Sequence, residues 1–171
     1  MTETEIRPPS NPSGHLPPRG GKDAEIWFYH LERSSLSEVL HELLDKTLQR
    51  GWRALVRASD GALLREMSDR LWTARPDSFL AHGLDGEGKE ARQPILLTTT
   101  GENRNGAQAL FILDQAELGA TEDFERCFIL FDGRDDVALA AARERWRGLK
   151  QTGGNLAYWK QSTEGRWEKA G

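Results

Sequence analysis

Apolar side chains recur along the chain with two different periods. Residues 25–30 form a short aromatic and β-branched run, and this composition predicts a first β-strand. The next segment carries apolar residues at steps of three and four, at Leu36, Val39, Leu40, Leu43, Leu44 and Leu48. That spacing places them on one face and predicts an amphipathic helix. Ser34 and Ser35 are candidates for its N-cap, and Gly51 ends it.

Strand and helix patterns continue to alternate beyond Gly51. Residues 52–57 predict a second strand, and a turn at 59–61 leads into a helix that carries Leu64, Met67 and Leu71 on one face. A polar, glycine-containing segment at 83–90 predicts a loop. The later patterns predict a helix at about 134–150 and strands at 94–99, 109–114, 125–131 and 155–160. Residues 165–168 are predicted to form an exposed end. Strands joined through helices favour a parallel sheet that is covered on both faces. We therefore predict an α/β fold with a mainly parallel central sheet.

The first 22 residues differ in composition from the rest of the chain. They hold five of the seven prolines and hardly any large apolar residues. Such a segment cannot offset the entropy lost on ordering, which predicts a disordered proline-rich tail. Residues 23–171 are predicted to form a single domain.

Composition and charge exclude several classes of protein. The formal net charge of -4 argues against nonspecific binding to DNA, because a groove that follows phosphates needs a surplus of Lys and Arg. The only cysteine, Cys127, lies in an apolar run and is interpreted as a buried structural thiol, so an intrachain disulfide and a CxxC site are excluded. No stretch has the length and apolar character of a membrane span or a secretory signal, so a cytoplasmic location is expected.

Candidate nucleotide and metal motifs are weak. Residues 101–106 have two glycines at the spacing of a phosphate-binding loop, but Ala107 and Gln108 stand where that loop requires Lys and Ser or Thr, and an ordinary turn is favoured. Asp114 ends an apolar strand, and without the lysine loop it too is interpreted as a turn residue. None of the four histidines has a second ligand at metal spacing. No cofactor or metal is predicted, and a nucleotide- or small-molecule-dependent enzyme stays open as the alternative function.

The last predicted helix carries the most distinctive pattern. Its apolar face is expected to include Val137, Ala138, Ala141, Ala142, Gly148 and Leu149. Beside this face, Arg143, Trp146, Arg147 and Lys150 follow the spacing i, i+3, i+4, i+7, with Trp146 at the border. An indole next to guanidinium groups suits an acidic peptide with an apolar end. A solvated basic edge near a helix C-terminus is the alternative interpretation.

Four segments, in order, resemble the chi subunit family of the bacterial DNA polymerase III holoenzyme, and the resemblance extends over residues 24–160. The matching segments are Phe28-Tyr29, Leu71-Trp72 with Arg75-Pro76-x-Ser78-Phe79-x-x-His82, the loop Gly86-Glu87-Gly88, and 142–147 followed by Gly153-x-Asn155-Leu156. The resemblance implies a Rossmann-like fold without a nucleotide site. It also implies a non-catalytic accessory subunit that links the clamp loader to single-stranded-DNA-binding protein.

The same resemblance implies roles for individual residues. The partner's acidic C-terminal tail, which ends in aspartates, a proline and a phenylalanine, is expected to dock on the last helix. Arg143 would hold the terminal carboxylate or nearby acidic groups, Trp146 would line the apolar pocket, and Arg147 would add attraction. Leu139 stands where some relatives have lysine, and Asp132 places an acid beside the pocket. Both departures are expected to alter the affinity for the tail.

A second partner surface is also implied by the resemblance. It would meet the psi subunit, or a helicase-like protein in some bacteria, through Trp72, Phe79 and His82. Phe79 could equally be a core residue. DNA is expected to be reached only through the protein partners.

Overall fold

The computed structural model describes residues 24–73 and 80–171. The predicted tail at residues 1–22 lies outside these ranges, and so does Phe79. The helices are α1 (Leu36–Gln49), α2 (Gly61–Thr73) and α3 (Asp136–Gln151), and Glu90–Arg92 form a short 3-10 helix. The strands are β1 (Glu25–Leu31), β2 (Ala54–Arg57), β3 (Gly83–Leu84), β4 (Ile95–Thr98), β5 (Ala109–Ile112), β6 (Arg126–Asp132), β7 (Asn155–Gln161) and β8 (Trp167–Lys169).

These strands form one sheet in the order β3-β4-β2-β5-β6-β1-β7-β8. Neighbouring strands are parallel from β3 to β7, and only the β7–β8 pair is antiparallel. The predicted α/β fold with a mainly parallel sheet is therefore confirmed. One local prediction was wrong, because β3 lies inside the segment predicted as a loop. The end predicted to be exposed is exposed or half-buried, but its last two residues begin β8, a strand that was not predicted. Both strands are very short, and the turn residues that surround them dominate the sequence pattern.

Strand β1 is the third strand from the β8 edge of the sheet, and its side chains enter two separate core layers. Its residues Ile26 and Phe28 pack in the layer that contains Ala138 and Ala142 of α3. Tyr29 and Leu31 pack in the opposite layer, which contains the apolar stripes of α1 and α2. Successive strand residues point to opposite faces of a sheet, so α3 covers one face, and α1 and α2 cover the other.

The ends of α1 follow the predicted signals. The Ser35 hydroxyl accepts a hydrogen bond from the backbone N–H of Glu38, and the Glu38 carboxylate accepts one from the backbone N–H of Ser35. This reciprocal capping satisfies donors that the first turn leaves unpaired. At the other end, Gly51 has a φ of +87°, a left-handed conformation that glycine adopts without strain.

The buried face of α3 is rotated from the predicted one. Val137 is 71% exposed and Gly148 is exposed, whereas Leu139, Trp146 and Leu149 pack against the core beside Ala138 and Ala142. At 100° per residue, Val137 lies about 150° from the middle of this buried arc. The alanines and the glycine carry little apolar area, so they define the face weakly, and the larger Leu139 and Trp146 determine which side is buried. Trp146 therefore belongs to the packed face and not merely to its border.

The carboxyl edge of β2 is filled by a buried arginine. In doubly wound α/β folds, ligands bind at the carboxyl ends of the parallel strands. Here Arg57, which is 5% exposed, donates hydrogen bonds of 2.9–3.2 Å to the carbonyl oxygens of Thr100, Gly101, Glu117 and Leu118. The guanidinium group thereby joins two loops across the position where other folds of this class bind phosphates.

The two suspected nucleotide motifs have structural roles at the same sheet. The 101–106 segment lies between β4 and β5, and the buried Asn105 side chain donates to the carbonyl oxygens of Ala54 and Gln93. The Asp114 carboxylate accepts from the backbone N–H groups of Ser59 and Asp60, just ahead of α2. Both interpretations as turn residues are confirmed, and Cys127 is fully buried as predicted. No helix in the described ranges is long and apolar enough to cross a bilayer.

The carbonyl contacts of Arg57 predict a large effect on stability. We expect Arg57→Ala to lower the free energy of unfolding by about 3 kcal/mol or more, because it leaves several carbonyl oxygens in a buried site without a donor. Urea denaturation followed by circular dichroism measures the change. Arg65→Ala is the matched control, because Arg65 is exposed on α2 and its loss should change stability by less than about 0.5 kcal/mol. Equal midpoints for the two variants would show that the Arg57 contacts add little.

Candidate functional site

Helix α3 and the β7–β8 hairpin border an open cavity of about 280 Å³. Its lining consists of Arg143, Trp146, Arg147, Tyr158, Ala170 and Gly171. Three of the four residues predicted on the cationic edge therefore line one cavity. The fourth, Lys150, places its ammonium group 5.7 Å from the centre of the Trp146 ring, on the neighbouring turn.

The aromatic part of the cavity is held by packing from the sheet. Trp146 meets Phe28 edge to face at 5.2 Å between ring centres and meets Tyr158 in the same way at 5.4 Å. Phe28 is fully buried in β1 and stacks on Tyr158 at 6.1 Å. Edge-to-face contacts of this kind add to the stabilisation from burial alone. The indole therefore presents a fixed apolar wall to the cavity.

The second wall is made of main chain. The Tyr158 N–H donates to the Gly171 carbonyl oxygen at 3.1 Å, and the Ala170 N–H donates to the Tyr158 carbonyl oxygen at 2.7 Å. These bonds extend the antiparallel pairing of β7 and β8 past Lys169. A Cβ atom placed on Gly171 would lie 3.5 Å from Trp146 Cζ2, which is ordinary van der Waals contact. Sequence reasoning missed this wall because the strand pairing of β8 was not predicted.

The cations at the cavity differ in their contacts. Arg147 donates from Nη2 to the Glu144 carboxylate at 2.6 Å, an exposed pair on the helix surface. Arg143 is exposed and has no ion-pair partner among residues 24–73 and 80–171. Exposed pairs contribute little, so the carboxylate of Glu144 can be exchanged for another. The cavity thus combines two guanidinium groups with apolar walls, which is the chemistry that receives a carboxylate attached to an apolar side chain.

Both sequence departures have a structural explanation. Leu139 lies one turn before Arg143 and packs against the α3 core layer. The Asp132 carboxylate accepts from the Arg134 side chain at 2.8 Å and from its backbone N–H at 2.9 Å. Partial burial would raise the pKa of Asp132, but these Arg134 contacts hold it below its usual value. The negative charge of Asp132 is therefore compensated locally.

A hydrogen-bonded chain of three side chains reaches the cavity from β1. The Tyr158 hydroxyl lies 2.8 Å from His30 Nδ1, and His30 Nε2 lies 2.7 Å from the Glu32 carboxylate. Burial lowers the pKa of His30, although Glu32 opposes the change, and burial raises the pKa of Tyr158. Neither His30 nor Tyr158 was predicted as a site residue. The signal that could have found them is strand pairing, because the parallel register places Tyr158 opposite Phe28.

The structure describes two of the three residues of the second predicted partner surface, Trp72 and His82. The rings of Trp72 and His82 lie 4.5 Å apart, and Trp72 is 51% exposed. His82 is buried and bonds through Nε2 to the Ser68 hydroxyl and through Nδ1 to the Leu80 carbonyl oxygen. Trp72 and His82 are thus brought together, and Phe79 lies outside the described residues. Across 24–73 and 80–171, no group of three or more His, Cys, Asp or Glu residues could hold a metal ion.

Comparison with known proteins identifies relatives over most of the chain. Residues 24–157 match the family model "DNA polymerase III chi subunit, HolC". The chain is 29% identical over 136 residues to DNA polymerase III subunit chi of Haemophilus influenzae, which covers 76% of this chain and 92% of the relative. It is 24% identical over 132 residues to DNA polymerase III subunit chi of Escherichia coli, covering 74% of this chain and 88% of the relative. A probable subunit chi of Rickettsia prowazekii is 23% identical over 91 residues, 53% of this chain and 55% of that relative.

The close approach of His30 to the chain after β6 gives a test of the site's geometry. A Cβ atom on Gly133 would overlap the His30 imidazole ring. We expect Gly133→Ala to lower the free energy of unfolding by about 1–3 kcal/mol, because either the ring or the backbone has to move. Gly148→Ala is the control: no atom lies within 4 Å of the added methyl group, and replacing a helical glycine should raise stability by about 0.5–1 kcal/mol. Thermal unfolding of both variants measures these opposite signs, and a Gly133→Ala protein as stable as the wild type would contradict the close contact.

Proposed function

This chain belongs to the DNA polymerase III chi subunit family, and we propose that it links the clamp loader to single-stranded-DNA-binding protein by holding that protein's acidic C-terminal tail. The family assignment makes the chain a non-catalytic accessory subunit, and the alternative of a nucleotide-dependent enzyme is set aside. One observation carries the proposal: Arg143 and Arg147 line the same cavity as Trp146 and Tyr158. The proposed site is this cavity, which we call the α3 cavity.

The side chains that line the α3 cavity match the chemistry of such a tail. A terminal carboxylate accepts two parallel hydrogen bonds from an arginine fork, and the fixed indole wall packs against the aromatic ring of the last residue. Pockets that enclose a drug-sized ligand usually measure about 300–1,000 Å³. The cavity of about 280 Å³ lies below this range, so we expect it to take one terminal residue. The preceding aspartates would lie along α3, where Arg147 and Lys150 supply positive charge.

The distribution of charge supports a protein partner and not a direct contact with DNA. The whole chain has a formal net charge of -4, which repels a phosphate backbone at long range. The cations of the α3 cavity are few and lie around an apolar recess, whereas nonspecific binding to a nucleic acid strand uses a long series of phosphate contacts. In this proposal, the strand stays on the partner and the subunit reads only the partner's tail.

Binding of a labelled tail peptide tests the site. We expect fluorescence anisotropy to show saturable binding that weakens as salt is added, and Arg143→Ala to reduce affinity about tenfold or more, because a charge-assisted hydrogen bond contributes about 1.5–3 kcal/mol. Arg65→Ala removes the same charge from α2 on the opposite face and should leave binding unchanged. A peptide with an amidated C-terminus should bind more weakly than the free acid. Equal affinities for the wild type and Arg143→Ala would refute the assignment of the site.

We also propose Trp72 as the anchor of a second contact, with the psi subunit. An exposed tryptophan supported by a buried ring has the character of an interface hot spot, and His82 fixes the indole from below. This surface lies on α2, away from α3, so one subunit could hold both partners.

Co-expression with the psi subunit tests the Trp72 surface. We expect Trp72→Ala to weaken co-purification, with a loss of about tenfold or more in affinity, and to leave tail-peptide binding unchanged. Val137→Ala is the matched control, because Val137 is the other large exposed apolar residue in the described ranges. If psi binds Trp72→Ala and the wild type equally well, Trp72 is not the anchor.

A further inference from the structure

The chain Glu32–His30–Tyr158 fixes the direction of the hydroxyl group of Tyr158, a residue that lines the α3 cavity. Glu32 is an acceptor, so His30 carries its proton on Nε2, which lies 2.7 Å from the carboxylate. In the neutral ring the other nitrogen, Nδ1, is then an acceptor, and the Tyr158 hydroxyl at 2.8 Å donates to it. With its proton engaged by His30, the Tyr158 oxygen offers only lone pairs to any other partner. That arrangement disfavours a carboxylate near the hydroxyl.

Protonation of His30 reverses this arrangement. A charged imidazole donates from both nitrogens, so Nδ1 donates to the Tyr158 oxygen and the hydroxyl proton becomes available to another acceptor. A carboxylate held by Arg143 is such an acceptor, since Tyr158 and Arg143 line the same cavity. The positive imidazolium also attracts the anion through space. One proton therefore changes both the hydrogen-bonding direction and the charge beside the cavity.

The surroundings of His30 favour the neutral ring in the free protein. His30 is 5% exposed and packs on the Phe131 ring at 5.0 Å. Burial lowers its pKa, the contact with Glu32 raises it, and the charges of Lys160 and Arg143 lower it further. Asp132 at the end of β6 also faces this group, and its charge is compensated by Arg134. An anion bound at Arg143 would offset one of the two opposing cations and favour the charged ring.

We propose that His30 is a positioning residue for tail binding, which turns the Tyr158 hydroxyl from an acceptor into a donor when the ring gains a proton. This inference rests on the proposed function of the α3 cavity. It predicts that binding of an acidic C-terminal peptide is coupled to proton uptake. Because the bound state has the higher His30 pKa, the affinity for the peptide rises as the pH falls through the interval between the bound and free pKa values.

Calorimetry with the acidic tail peptide tests the coupling. We expect about a threefold to tenfold gain in affinity between about pH 8 and about pH 5.5, since one pKa unit corresponds to a factor of ten. Titrations in two buffers of different ionisation enthalpy should show net proton uptake on binding. His30→Gln and Tyr158→Phe should both lose the gain at low pH, whatever their affinity at high pH. His41→Gln, which alters a buried histidine of α1, should keep it.

The outcomes separate this inference from the proposed function. If Arg143-dependent binding persists but Tyr158→Phe keeps the full gain at low pH, or if no proton is taken up, the role of His30 is overturned and the site assignment stands. If no saturable binding occurs at any pH, both proposals fail. An NMR titration of the His30 ring protons, with and without peptide, gives an independent measurement. An unchanged pKa on saturation with peptide would overturn the coupling.

Discussion

The parallel pairing of β1 with β6 on one side and β7 on the other is the constraint on which the candidate site depends. Successive β1 side chains alternate between the two faces, so Phe28 and His30 both point toward α3. Phe28 supports Trp146, and His30 holds the Tyr158 hydroxyl. A slip of one residue in this register would send both side chains to the opposite layer. The cavity is therefore a product of sheet register as much as of helix sequence.

Much of the fold could be predicted from the sequence because its signals are local. The cap at Ser35, the glycine at 51 and the continuous apolar run of β6 each identify an element from a few neighbouring residues. The short strands β3 and β8 could not be predicted, since two or three residues carry no periodicity. The face of α3 was misplaced because its small residues hardly distinguish one side from another. What the side chains pack against, in this case Phe28 and Tyr158, determines the buried arc.

The candidate site likewise has a part that the sequence predicted and a part that it did not. The cationic spacing of Arg143, Trp146 and Arg147 is visible on a helical wheel, and the structure places these residues on one cavity. Tyr158, His30 and the main-chain wall come from distant segments that only the tertiary structure brings together. Local charge also differs from global charge here: the chain is acidic overall, but its cavity is cationic, with Asp132 and Glu144 already engaged by arginines. An acidic chain with a small cationic recess repels a long phosphate backbone and still attracts a single carboxylate at short range.

The main-chain wall at Ala170 and Gly171 has a practical consequence for anyone who handles the protein. The backbone at this point lies against Trp146 and hydrogen-bonds to Tyr158. Any residue joined after Gly171 therefore leaves the fold beside the cavity. A purification tag or a fluorescent fusion attached there would begin beside the cavity, and a tag rich in aspartate would bring carboxylates close to Arg143 and Arg147. Immobilisation through a group attached at Gly171 would place the support beside the cavity.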